Sequence, residues 1–152
     1  MTTMRPSGVR RRILEEHRQL ATGLDQLEQL AARLEQEGDA VIASAVDRAR
    51  DFYEQLREHI DLEDAILAPA LREADAWGEV RASKLEKHHR DQRIELKALG
   101  ELDVETTDPA QLAARIRAFV QEVREDMRHE EEGVLSADLL RDDVTSVDAE
   151  GG

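Results

Sequence analysis

The sequence predicts an all-α protein folded as an antiparallel, up-down-up-down four-helix bundle. Three observations lead to this prediction. Four segments carry apolar residues at helical spacing, short connections join them, and Leu, Ala, Glu and Arg dominate the composition. The chain has 152 residues, a usual size for one domain, with only three prolines and eight glycines to interrupt its helices. We therefore expect long helices around a single core.

The first two predicted helices cover residues 8–37 and 40–73. Gly38 fits the stop of the first helix, and Asp39 fits the N-cap of the second. Pro69 lies in the last turns of the second helix and should bend or fray it, because proline lacks the backbone N–H that a helix needs.

The last two predicted helices cover residues 79–101 and 109–132. Asp108 fits an N-cap and is followed by Pro109 at the first helical position, where proline is well tolerated. Gly133 fits the end of the fourth helix.

The four helices place the domain boundaries. We assign residues 1–9 to an N-terminal arm, residues 10–135 to the bundle, and residues 136–152 to an acidic tail that we expect to be mobile. Within this tail, Leu139 and Leu140 are candidates for docking on the bundle.

Charge and composition exclude several classes of function. A net charge of −14 repels nucleic acids and anionic membranes, so we expect neither as a partner. The chain has no cysteine, which rules out disulfides, thiolate metal sites and iron–sulfur clusters. No apolar stretch approaches the roughly 20 residues that cross a bilayer, and no signal segment is evident, so we expect a cytoplasmic protein. We expect a monomer or a small homo-oligomer; the sequence indicates no particular protein partner.

Metal-ligand residue types interrupt the apolar stripe of each of the first three helices. His17 does so in the first helix, and His59 and Glu63 in the second, where a spacing of four residues places both on one face. In the third helix, His88 and His89 compete for the buried position. Alignment of the first helix with the third superposes His17 on His89 and favours His89.

An internal repeat supplies candidates in the fourth helix. Residues 52–64 align without gaps on residues 119–131. The alignment places Asp126 at the position of His59, and Glu130 at the position of Glu63. Nearby His129 is open to three interpretations: a replacement ligand, a hydrogen-bond partner behind the ligands, or a surface residue. We favour the last two.

Helical rise places these side chains at one level of the bundle, near the end opposite the Gly38 turn. An ionised carboxylate buried there costs several kcal/mol unless it is compensated, and cations would compensate it. A single buried histidine is more often a satisfied core residue than a ligand, but convergence from four helices favours a metal site. Imidazole with carboxylate suits iron, manganese or zinc. The candidate ligands are His17, His59, Glu63, His89, Asp126 and Glu130.

Residues 10–135 resemble the hemerythrin-like (HHE cation-binding) family. The resemblance rests on the sequence Glu-Glu-His-Arg-Gln-Leu around His17, on residues 59–71 with their proline, on His89, and on the Glu-rich fourth segment. It implies two iron ions joined by an oxo or hydroxo bridge. In this family pattern, the bridging carboxylates would be Glu63 and Glu130, and the terminal imidazoles would be those of the three histidines, His17, His59 and His89.

The chain departs from the family pattern at two positions. Asp126 replaces the fourth-helix histidine, and Arg93 stands where oxygen-carrying relatives have an additional third-helix histidine. Fewer imidazoles and one more anion should favour ferric iron and weaken reversible dioxygen binding.

Three functions compete on these grounds. The first is a di-iron protein that handles or senses dioxygen, peroxide, nitric oxide or iron, with binding or sensing favoured over enzymatic turnover. The second is a helical stress or interaction module with a degenerate or single-metal site. A ferritin-like carboxylate oxidase ranks last, because the buried stripes carry no Glu-x-x-His pair.

Overall fold

The computed structural model describes residues 4–143, and throughout this range the chain is all-helical, without a β-strand. Helix α1 spans Pro6–Glu37, and a 3-10 helical turn, Gly38–Val41, leads into α2, Ile42–Leu62. The all-helical class is thus confirmed. Gly38 carries the turn with a φ of 63°, a left-handed conformation that glycine adopts without steric cost.

Helix α2 continues through a π-helical segment, Glu63–Leu67, into the short helix α3, Ala68–Ala74. The wider turn places Pro69 in the first turn of α3, where its missing N–H costs little. Within the segment, the Ala68 N–H donates to the Glu63 carbonyl, five residues earlier. The predicted irregularity at Pro69 is therefore a π bulge just before the proline.

Helix α4 spans Gly78–Gly100 and α5 spans Pro109–Glu132. The side chain of Asp108 accepts a hydrogen bond from the Gln111 N–H and caps α5, as the sequence predicts. Helix α1 packs against α2 and α5, while α4 packs against α2 and α3. No helix in residues 4–143 combines the length and apolar character needed to span a membrane.

A layer of buried polar side chains divides the apolar core in two. The larger cluster extends from this layer towards the Gly38 turn and includes Leu20, Ile60 and Val123. The smaller cluster lies at the other end and includes Ile13 and Leu67. The buried polar side chains, His17, His59, Glu63 and His89, come between these two sets along their helices.

The segment after α5 turns back onto this smaller cluster. Leu135 and Leu140 are buried in it, and the Leu135 carbonyl accepts a 2.7 Å hydrogen bond from Arg10 Nε. The Asp142 carboxylate accepts hydrogen bonds from the backbone N–H and the hydroxyl of Ser7, at 2.9 and 2.7 Å. Leu139 and Leu140, the predicted docking residues of the tail, therefore pack on this cluster, and Asp142 contacts α1. The remainder, residues 144–152, lies outside the described range, as do residues 1–3 of the expected arm.

The turn between α3 and α4 depends on a close backbone approach at Gly78. A Cβ atom at this position would lie 2.0 Å from the Leu71 carbonyl oxygen and 2.7 Å from that of Arg72. No side chain fits there unless the two helices separate.

We therefore expect Gly78→Ala to lower the free energy of unfolding by about 2 kcal/mol or more. Gly100→Ala is the matched control, because a Cβ there meets no atom within 4 Å, and alanine should leave stability unchanged or improve it slightly. Urea denaturation of both variants measures the difference. Equal stabilities would contradict the proposed backbone constraint.

Candidate metal centre

Three imidazoles from three helices meet in the buried polar layer. His17 comes from α1, His59 from α2 and His89 from α4, and their exposed fractions are 3%, 4% and 0%. The His17 and His59 rings lie side by side, with centroids 5.1 Å apart. Apolar neighbours at i±3 and i±4 draw each histidine inward, because these positions share one face of a helix.

Each imidazole contacts a carboxylate through its Nδ1 atom. The Nδ1–oxygen pairs are His17 with Glu131 at 3.3 Å, His59 with Glu16 at 3.0 Å, and His89 with Asp64 at 2.5 Å. In the tautomer that these contacts favour, Nδ1–H donates to the carboxylate and Nε2 keeps a free lone pair. Carboxylates that orient metal-binding histidines make this contact.

The Nε2 atoms face two glutamates inside the layer. His59 Nε2 lies 2.8 Å from Glu63 Oε1, and His89 Nε2 lies 3.8 Å from the same oxygen. His17 Nε2 lies 3.5 Å from Glu130 Oε1. Ligand atoms of four of these residues lie within 4.8 Å of one another: His17, His59, Glu63 and Glu130.

Several of these inward atoms are buried without a hydrogen-bond partner among the described residues: Nε2 of His17, His59 and His89, Oε2 of Glu63, and Oε1 of Glu130. Each such atom costs about 1–3 kcal/mol when no partner replaces the water it has lost. All five are lone-pair donors of the kind that coordinate divalent and trivalent cations. The donor set therefore fits a metal centre.

The pKa values of the two glutamates are shifted in opposite directions. Burial raises the pKa of Glu63 well above its ordinary value, and the adjacent Glu130 raises it further. Burial opposes ionisation of Glu130 as well, but the neighbouring Glu63 carboxyl and the His17 imidazole outweigh it and lower its pKa. Glu63 is accordingly the carboxyl that keeps a proton when no cation is bound.

The pKa values of the His59 and His17 imidazoles are also shifted in opposite directions. Burial lowers the pKa of His59, against the opposing effect of Glu16, so this ring stays neutral and able to coordinate. Burial acts in the same direction on His17, but the carboxylates of Glu130 and Glu131 outweigh it and raise its pKa.

Asp126 lies beside this cluster rather than in it. Its Oδ2 atom lies 3.4 Å from His88 Nε2 and accepts a 3.2 Å hydrogen bond from the Gln92 side chain. The structure therefore brings together five of the six predicted ligands, with His89 bordering the four-residue cluster through Glu63. The assignment of Asp126 as a ligand stays a prediction.

The open questions at His88 and His129 have structural answers. His89 is fully buried, whereas the His88 side chain is 47% exposed, as the alignment with the first helix predicts. His129 is exposed. Its position is that of a surface residue.

The carboxylates behind the imidazoles were not among the residues predicted for the site. Glu16, Asp64 and Glu131 each adjoin a predicted ligand in sequence, yet each serves an imidazole on another helix. The available signal was an acidic residue next to each of three predicted ligands, His17, Glu63 and Glu130. A run of acidic residues, however, normally indicates a solvated face.

Arg93 also has a role that sequence analysis missed. Its guanidinium donates to Asp64 Oδ2 at 2.5 Å, while Asp64 Oδ1 contacts His89. Arg93 also donates a 2.8 Å hydrogen bond to Asp61 Oδ1. Arg93 therefore holds the carboxylate that orients His89.

The π-helical segment begins at Glu63, directly after the regular helix that carries His59. The Glu63 N–H still bonds the His59 carbonyl four residues earlier, so the usual helical spacing places both side chains on one face. Glu63 reaches the interior with 1% exposure, while Asp64 reaches across to α4. π bulges are frequent at functional sites.

A protein-family model, that of the hemerythrin HHE cation-binding domain, matches residues 9–137. Comparisons with curated proteins and with solved structures returned no match. The family model spans α1–α5 and includes all six predicted ligands.

The donor set predicts a specific effect of Glu63→Gln. Glutamine is isosteric with the protonated carboxyl, so we expect the metal-free variant to unfold within about 1 kcal/mol of the wild type. Excess Co²⁺ should stabilise the wild type by about 4 kcal/mol at a thousand times its dissociation constant, and the variant much less. Thermal melting with and without Co²⁺ measures both effects. Glu58→Gln, an exposed position on α2, is the control and should respond as the wild type does.

Metal uptake should also release a proton from Glu63. Because its pKa is raised in the folded protein, the carboxyl is protonated above its ordinary titration range, and a cation binds only the ionised form. Apparent Co²⁺ affinity should therefore increase as the pH rises towards that raised pKa and level off above it. Titrations across a pH series test this, and a flat profile would contradict it.

Proposed function

Because the chain belongs to the hemerythrin HHE cation-binding domain family, we propose that it is a non-haem iron protein holding two iron ions between antiparallel helices of an up-down-up-down four-helix bundle. The proposed ligands are the six side chains that the sequence predicts, His17, His59, Glu63, His89, Asp126 and Glu130. Manganese and zinc suit the same ligands, and the family favours iron.

The observation that carries this proposal is the set of five unpartnered atoms in the polar layer. Three imidazole nitrogens and two carboxylate oxygens, from four helices, are turned towards one another and away from water. A purely structural polar cluster would pair its donors with acceptors. In this layer the imidazole Nδ1 atoms face carboxylates on the outer side. The Nε2 atoms and the two carboxylate oxygens face inward, where each has a lone pair and no hydrogen-bond partner within residues 4–143.

The surrounding residues prepare the ligands. The Nδ1 contacts to Glu16, Asp64 and Glu131 fix each ring and increase the basicity of its Nε2 atom. The apolar clusters above and below the layer exclude water, which strengthens electrostatic interactions inside it. An iron pair bound there would supply electrons and Lewis acidity.

A small cavity adjoins Asp126, although none of the four clustered ligands lines it. This cavity of about 10 Å³ lies between α2, α4 and α5, lined in part by Leu56, Phe119 and Asp126. It has room for about one molecule the size of water. We propose that the ligand is dioxygen, peroxide or nitric oxide, and that the protein binds or senses it, or senses iron itself.

A second function is favoured by the position of Asp126. Its side chain is 26% exposed and engaged with His88 and Gln92, outside the cluster of four ligands that lie within 4.8 Å of one another. Those four ligands suit a single ion. The alternative is therefore a helical stress or interaction module with a single-metal or degenerate site.

Iron loading distinguishes these functions. We expect protein loaded anaerobically with Fe²⁺ to retain two iron ions per chain after desalting, and to develop a visible charge-transfer absorption on exposure to air. His59→Ala should lose at least one iron and the absorption. His129→Ala is the matched control, because this histidine is exposed and should retain both.

The outcomes separate the candidates. One iron per chain without the absorption would favour the single-metal module. A colourless, metal-free protein after loading would contradict metal binding altogether.

A further inference from the structure

The centre has an approximate twofold relation that follows the internal repeat of the sequence. Residues 52–64 correspond to residues 119–131, and His17 corresponds to His89. The contacts obey this correspondence. His17 Nδ1 contacts Glu131 at 3.3 Å, and the equivalent pair, His89 Nδ1 and Asp64, contacts at 2.5 Å.

The inner contacts repeat in the same way. His17 Nε2 lies 3.5 Å from Glu130 Oε1, and the equivalent atoms, His89 Nε2 and Glu63 Oε1, lie 3.8 Å apart. Each half of the chain thus provides one imidazole and one glutamate to the same pattern. Two equivalent halves suggest two ion positions.

At one pair of equivalent contacts, the carboxylate and the imidazole exchange positions between the two halves. In the first half, the residue before His17 is Glu16, whose carboxylate contacts His59 Nδ1 at 3.0 Å. In the second half, the residue before His89 is His88, whose imidazole lies 3.4 Å from the Asp126 carboxylate. Acid and imidazole have changed helices.

The exchange is chemically consistent. An imidazole ligand needs a hydrogen-bond acceptor behind its Nδ1–H, and Glu16 provides one. A carboxylate ligand needs donors instead, and the His88 imidazole, with Nε2 3.4 Å from Asp126 Oδ2, can supply one. Gln92 is another, since its amide donates to Asp126 at 3.2 Å, while the equivalent position in the first half is the apolar Leu20.

Both donors engage the same oxygen of Asp126. His88 Nε2 and Gln92 Nε2 each contact Oδ2, and neither contact uses Oδ1. A carboxylate held in this manner by one oxygen is oriented by it and keeps the lone pairs of the other for a cation.

Building on the proposed function, we propose that His88 is a positioning residue for the second ion: with Gln92, it orients Asp126 as a carboxylate ligand in the place where the first half uses His59. The two ion positions are consequently unequal, one richer in nitrogen and the other richer in oxygen. Exposed ion pairs contribute little to fold stability, so we do not expect the contact to act chiefly through stability.

A charge-exchange cycle tests this role. Wild type, His88→Glu, Asp126→His and the double variant would each be titrated with Co²⁺, following bound ions per chain and the visible absorption of cobalt. We expect two ions for the wild type. His88→Glu places a second carboxylate against Asp126, and Asp126→His lacks an acceptor behind its ring. Each of these changes should weaken binding of the second ion tenfold or more.

The double variant should restore the affinity for the second ion to within about threefold of the wild-type value, because it recreates the Glu16–His59 arrangement in the second half. Its cobalt absorption should differ from that of the wild type, since nitrogen replaces oxygen at one ligand position. Lys87→Glu, an exposed neighbour on α4, introduces negative charge without contacting Asp126 and should bind as the wild type does.

Conservative variants keep the test decisive if a charged variant fails to fold. His88→Gln retains an amide donor and should keep the second ion, whereas His88→Leu should weaken it tenfold or more. Far-UV circular dichroism verifies the fold of each. Equal affinity in the glutamine and leucine variants would overturn the positioning role.

The remaining outcomes are separable. Two ions in every variant, or a double variant no better than the singles, overturns the positioning role and leaves the proposed function standing. A wild type that binds a single ion has no second position for Asp126 to serve; this result overturns the positioning role and favours the single-metal alternative over the two-iron proposal. A wild type that binds neither Co²⁺ nor iron refutes the proposed function together with this inference.

Discussion

The structure depends on the burial of a polar layer between two apolar clusters. Imidazoles and carboxylates cost free energy when they lose water, and this cost is not met by hydrogen bonds alone, because five inward atoms have none among the described residues. Bound cations would be partners for such atoms, and His17, His59, Glu63 and Glu130 are close enough together to share one. Cation binding at this layer would link folding to metal affinity.

The carboxylates behind the imidazoles make the site a property of the whole helix assembly. Glu16 adjoins His17 in α1 but orients His59 in α2, while Glu131 in α5 orients His17. Asp64, just after α2, orients His89 in α4. Three carboxylates thus hold candidate ligands on other helices, and a shift of α1 would displace both His17 and the carboxylate that orients His59. This interlocking gives the pre-organisation that a metal centre requires.

Irregular backbone lies next to the polar layer. The π-helical segment begins where Glu63 points inward and Asp64 reaches α4, and it shifts the helical phase of the residues that follow. Pro69 follows at the first turn of α3, where the lost hydrogen bond is tolerated. At the same end of the molecule, the segment after α5 buries Leu140 in the smaller apolar cluster, beyond residue 137, where the family match ends.

Periodicity alone determined much of this protein. Apolar stripes at helical spacing located every long helix to within a few residues, and the interruptions at His17, His59, Glu63 and His89 identified four side chains that the structure buries. Such patterns are local, because the face that a residue occupies on a helix depends only on its spacing from its neighbours. The internal repeat placed Glu130 near the same layer, and the structure brings it against His17.

Only the tertiary structure decided what lies behind those ligands. Contacts such as Glu16 with His59, Arg93 with Asp64, and His88 with Asp126 join residues on different segments, and no spacing along one helix encodes them. The docking of residues 136–143 was decided in the same way, since it requires a surface that several helices build together. Sequence thus determined which faces are buried, whereas packing determined which groups meet there.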